Sequence, residues 1–108
     1  MRSYTSAERR RRAWLVTRGV KQAAAGPDAV NPRIDAEIDR IDARAADRRR
    51  RETDAMHDLL DRAKDNVAAA KAAERTATRD AQHAARTARR DAEAVLHRTE
   101  QAARRMGL

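Results

Sequence analysis

The clearest pattern along this chain is a stripe of apolar positions at helical spacing. Ile34, Ile38, Ile41 and Ala45 recur at intervals of four, three and four, which puts them on one side of a helix. Ala13, Val16, Val20 and Ala24 form a second stripe, with Leu15 and Ala23 at one flank. These two stripes are expected to pack against each other. The residues around them mark the helix ends. Thr5 with Glu8 three residues on makes a capping box, and Gly26-Pro27 is a stop signal. Asn31 is placed to cap a second helix with Pro32 at its first position. The connection GPDAVN is short, and short connections favour antiparallel neighbours, so residues 1–52 read as a helical hairpin.

Continued past Ala45, the isoleucine stripe lands on Arg48 and Glu52 within DRRRRE, so the seam is expected to break there. It resumes in a different phase as Met56, Leu60, Ala63, Val67 and Ala70. It then runs through Ala77, Ala81, Ala84 and Ala88 and ends near Val95, Leu96, Ala102 and Met106, with Glu74, Asp91 and Arg98 on or beside it. Gly19, Gly26, Pro27, Pro32 and Gly107 are the only helix breakers, and none lies between Arg33 and Met106. One helix over 53–105 would be roughly 80 Å long. Such a helix needs partners or must fold back. Alanine lets helices approach closely, so a coiled coil or bundle is the expected solution. The alternative is a solvated helix held by pairs such as Asp47 with Arg51, Asp58 with Arg62 and Glu100 with Arg104, each worth about 0.2 to 0.5 kcal/mol. The expected fold class is all-α: an N-terminal helical hairpin, residues 1–52, then a long Ala-rich helix, residues 53–108, that oligomerises or docks on a partner.

Composition limits how much this architecture can bury. The chain has 108 residues with no Phe, one Tyr and one Trp, and its apolar fraction is largely alanine. Alanine removes little area from water, at roughly 25 cal/mol per Å², but has the highest helix propensity of any residue. A deep core is not expected. With no cysteine, disulfides, zinc fingers and thiol catalysis are excluded. No run approaches the ~20 apolar residues of a membrane span, and the start carries no apolar signal segment. An Arg-rich, Ser-containing start can mimic a transit peptide, but Glu8 and the capping box read as mature structure. The expected compartment is the cytoplasm.

Charge points to the partners. Twenty-five Lys and Arg against seventeen Asp and Glu give a formal net charge of +8. Residues 1–52 hold 14 cations and 8 acids, the remainder 11 and 9, so the excess is +6 against +2. Polyanions are favoured: nucleic acid, an acidic protein or, less strongly, an anionic membrane surface. Within RRRRAWLVTRGVK, Arg10, Trp14, Arg18 and Lys21 lie close together at 100° per residue, with Arg11 beside them. An aromatic among arginines can stack on a base or dip into a lipid interface. It can equally cover the hairpin or stack on an arginine of its own helix. Arg48, Arg49, Arg50 and Arg51 form a second cluster, of which two or three could meet one phosphate backbone. The candidate nucleic-acid site is therefore Arg10, Arg11, Trp14, Arg18, Lys21 and Arg48 to Arg51, with non-specific phosphate contacts and copies joined through the long helix.

Nothing in the chain spells out catalysis. There is no Gly-rich phosphate loop and no nucleophile elbow. Asp54 with His57 and Asp80 with His83 share helix faces, and His97 has Glu93 and Glu100 a turn away, but unmatched carboxylates and neighbouring arginines read as solvated ion pairing. No metal, no cofactor and no enzymatic activity is expected. The competing expectation to nucleic-acid binding is a structural or adaptor coiled coil whose charges keep it soluble and in register.

The stretch TSAERRRRAWLVTRGVKQAAAG followed by VNPRIDAEIDRIDARAADRR resembles a group of small uncharacterised actinobacterial helical-hairpin proteins, with a basic first helix, a Gly-containing turn and a second helix of Ile-x-x-x-Ile-x-x-Ile type. The resemblance covers residues 3–50. It implies a bacterial setting and transfers no activity and no site residue.

Overall fold

Thr5 starts the first helix as its sequence context predicts. Its hydroxyl accepts from the Glu8 N–H, and the Glu8 carboxylate accepts from the Thr5 N–H in return. The computed structural model describes residues 2–26, 29 and 31–108. It holds three helices and, among the described residues, no strand: α1 Ser6–Ala24, α2 Pro32–Thr76 and α3 Gln82–Arg105. Gly19 is inside α1 rather than at its end. Gly26 follows the last turn with φ at 133°, a conformation open to glycine. Asn31 caps α2 by accepting from the Arg33 N–H, and its own N–H donates to the Gln22 side chain at the end of α1. Pro27, Asp28 and Val30 of the expected loop lie outside the described residues. No helix among the described residues is long and apolar enough to cross a membrane.

Contacts gather into two units, Met1–Glu52 and Thr53–Leu108. In the first, α1 packs on residues 32–52 of α2 around Leu15, Ile34, Ile41 and Ala45, with Tyr4 and Ile38 against that cluster. The stripe on α2 is the one its spacing predicts. The face of α1 is not. Val16 and Val20 are 40% and 65% exposed, Ala13 and Ala24 are exposed as well, and Leu15 alone is fully buried. The inward stripe of α1 is Glu8, Arg12, Leu15, Gly19 and Gln22, at spacings of four, three, four and three. Its polar members all find partners, Glu8 and Arg12 on α2 and Gln22 at the Asn31 cap before it, which makes burying them cheaper than their type suggests.

Those partners also correct the expectation that the seam stops at Arg48. Arg48 continues the stripe, half-buried, and its guanidinium donates to both oxygens of Glu8 and to the Ser3 carbonyl. Glu52 accepts from the Ser3 hydroxyl at 2.7 Å, and the Ser3 N–H reaches the Ala45 carbonyl at 3.1 Å. Asp42 receives Tyr4 Oη at 2.7 Å and Arg12 Nε at 2.8 Å, with Arg2 at 3.2 Å. The segment before α1 is thus fastened to α2 by hydrogen bonds and ion pairs, where large apolar side chains are absent.

In the second unit the chain folds back. α2 ends at Thr76, whose hydroxyl bonds the Ala72 and Ala73 carbonyls, and the Ala81 N–H closes a turn on the Thr78 carbonyl at 3.0 Å. The core is Ala63, Val67 and Ala103, with Met56, Leu60, Ala70 and Leu96 partly covered. On α3 the inward positions are Ala85, Arg89, Ala92, Leu96, Thr99, Ala103 and Met106. Ala81, Ala84, Ala88 and Val95, expected on the seam, are exposed. The turn resets the helical phase, so counting on from α2 lands one residue off. Glu74, expected on the stripe, is on it and pairs with Arg89, which also holds Glu93. Asp47 with Arg51 and Glu100 with Arg104 form the expected pairs, at 3.2 and 3.8 Å. Arg62 donates instead to the backbone carbonyl of Asp58.

Candidate nucleic-acid interface

The offset of the α1 seam decides which arginines share a surface. One residue before each inward position of α1 lie Ala7, Arg11, Trp14, Arg18 and Lys21, and one residue before Ile34, Ile38, Ile41 and Ala45 of α2 lie Arg33, Glu37, Arg40 and Arg44. Both are therefore flanking rows on the same side of the seam. They line two adjoining concavities that share Arg11 and Glu37: Arg40, Arg44 and Ala7 complete one, Trp14, Arg18, Arg33 and Asn31 the other. The result is a shallow groove with Arg11, Arg18, Arg33, Arg40 and Arg44 along it and one carboxylate, Glu37, in the middle; Glu8 touches its edge and is committed to Arg48.

Arg11 is the best-held cation of the groove. Its Nε donates to Glu37 at 2.8 Å and a terminal nitrogen to the second carboxylate oxygen at 3.1 Å. That guanidinium holds the Glu37 carboxyl below its ordinary range. The guanidinium carbon of Arg11 is also 4.7 Å from the centroid of the Trp14 ring, and that of Arg18 is 5.1 Å away, both within cation–π range. Trp14 is 48% exposed and belongs to no core cluster. Of the two bland alternatives for this residue, stacking on arginines of its own helix is the one observed.

The remaining residues of the predicted site are distributed differently. Lys21 lines a hollow with Trp14, Thr17 and Arg18, next to the groove. Arg10 is exposed and lines neither concavity. The Arg48 to Arg51 cluster does not converge: Arg48 turns into the seam, Arg49 is half-buried, and Arg50 and Arg51 both reach back to Asp47 at 3.2 Å. Arg33, Arg40 and Arg44, which the structure adds to the surface, were missed because charge was sought in runs. Their signal was positional, each lying one residue before a member of the isoleucine stripe. Among the described residues no group of three or more His, Asp or Glu is close enough to hold a metal ion.

The opposite side of the same seam is apolar. Val16, Gly19, Val20 and Ala23 of α1 face Ile38 and Asp35 of α2 across a second shallow concavity floored by Leu15 and Ile34. The first unit therefore has an arginine side and an aliphatic side. Comparison of the chain with protein-family models, with curated proteins and with solved structures gives no match.

Proposed function

We propose that this is a non-enzymatic helical accessory protein of the cytoplasm that binds nucleic acid without sequence preference, through phosphate contacts along the arginine groove of its first unit. The observation that supports the reading is the groove itself: five arginines and a tryptophan from two helices line one surface that holds a single central carboxylate. Guanidinium groups match phosphate oxygens in pairs and remain charged at all physiological pH. Helical spacing sets Arg33, Arg40 and Arg44 along α2 over a little more than three turns, so they can follow a backbone but carry no donor pattern specific to a base.

The test compares two variants for binding to a labelled mixed-sequence duplex. Replacing Arg18, Arg33, Arg40 and Arg44 with Ala should weaken binding by about tenfold or more at low salt, since each lost phosphate contact also removes its counterion release. Replacing Arg50 and Arg51, which sit on Asp47, should change it little. Equal losses in both variants would mean that net charge, and not the groove, does the binding.

An adaptor role is favoured by a different observation, the exposed aliphatic side with Val16, Val20 and Ala23. Two copies could meet there with the arginine grooves facing away from each other. Light scattering decides this: a species that dissociates on Val20→Glu supports it, and a monomer at all concentrations removes it.

A further inference from the structure

Trp14 is the one large aromatic of the groove, and its surroundings restrict what it can do. A tryptophan that stacks on an unpaired base needs an open π-face. Here the ring already carries the guanidinium groups of Arg11 and Arg18, 4.7 and 5.1 Å from its centroid. Arg11 is fixed a second time by its two hydrogen bonds to Glu37. A base arriving over the ring would have to displace a guanidinium, and on the Arg11 side one that is held from two directions. A phosphate would leave both guanidinium groups on the ring and displace only Glu37 from Arg11. It offers Arg11 the same pair of oxygens that Glu37 offers, while the indole keeps both guanidinium groups at its edge of the groove.

We infer that Trp14 is a positioning residue: it orders Arg11 and Arg18 as a two-guanidinium clamp for the phosphates of a paired backbone, so that the groove takes duplex rather than unstacked single strands. This rests on the proposed nucleic-acid function and names the substrate class of that same groove. The geometry makes two cations behave as a unit through the ring between them in sequence. Aligning flexible arginines beforehand lowers the ordering cost of binding, and that gain is lost with the ring and not with its polarity. Because the side chain is half exposed and outside the core, its replacement leaves the hairpin seam untouched.

The experiment measures binding of the full chain to a labelled duplex and to a single strand of equal length, at several salt concentrations, by anisotropy of a label on the nucleic acid. Wild type should bind duplex more tightly than single strand. Trp14→Leu should weaken both by a similar factor and flatten the salt dependence. In combination with Arg18→Ala it should add little to the loss that Arg18→Ala causes alone, a non-additivity that a merely structural role would not produce. Trp14→Phe, which retains a π-face, should recover most of the affinity. If Trp14→Leu weakens only the single strand, or if wild type binds the single strand as tightly as duplex or more tightly, the inference is overturned while nucleic-acid binding stands. If wild type binds neither, both readings fall together.

Discussion

Glu8 serves the first unit twice. It accepts from the Thr5 N–H as half of the capping box, and it holds Arg48 across the seam. The hydrogen bond from Arg48, first, and that from Thr5, second, lower its pKa to about 2. Asp42, through Arg12 and Tyr4, and Glu37, through Arg11, are lowered as well. For a carboxyl whose pKa falls on folding, the stabilisation is complete above the unfolded value near 4.3 and is lost as pH falls through the folded one. The first unit should therefore weaken progressively between about pH 5 and pH 2. Thermal melts followed at Trp14 across that range should show it, and Glu8→Gln should lower the neutral-pH midpoint while flattening the acid dependence. A midpoint unchanged from pH 7 to pH 2.5 would contradict the part assigned to these pairs. None of this was legible in the sequence beyond the capping box. Spacing reveals which residues share a helix face, but not that Glu8 and Arg48, forty positions apart, meet.

At the scale of the helices, the sequence revealed ends better than faces. The caps at Thr5 and Asn31 and the isoleucine stripe of α2 are set by local chemistry, and they stand as read. The face of α1 differs from the apolar stripe because apolar residues alone do not set it. A single leucine flanked by Glu8, Arg12 and Gln22, each bonded to α2 or its cap, outweighs a row of valines and alanines that stays exposed. Folding back was one of the two expected solutions for residues 53–105, but its place after Thr76 was not legible. Thr76, Thr78 and Asp80 are only mildly unfavourable in a helix, so local preference permits the bend without requiring it. What favours it is coverage, since α3 covers Ala63 and Val67, which a single helix would leave open to water. Gly19 offers a direct check on the packing of α1. A methyl group there would meet Ile34 Cγ2 at 3.7 Å, ordinary contact distance, and the position is helical. Gly19→Ala should stabilise the first unit by about 1 kcal/mol, the propensity difference between the two residues. A loss of stability would mean that the two helices approach more closely than described.

For the molecule as a whole, net charge suggested a polyanion partner, and the fold determines which cations could serve it. The arginine run at 48–51, one of two four-arginine runs in the sequence, is divided between the seam and Asp47. Isolated arginines at 18, 33, 40 and 44 gather with Arg11 on one side of the hairpin instead. That side is the centre of the account, and its most direct test is the salt dependence of duplex binding by the unaltered protein. With four to five phosphates neutralised, log Kd should rise with log salt at a slope of about 3.5 to 4.5, and the groove variant should lose most of that slope. A slope near zero, or one that the groove variant retains in full, would contradict the account.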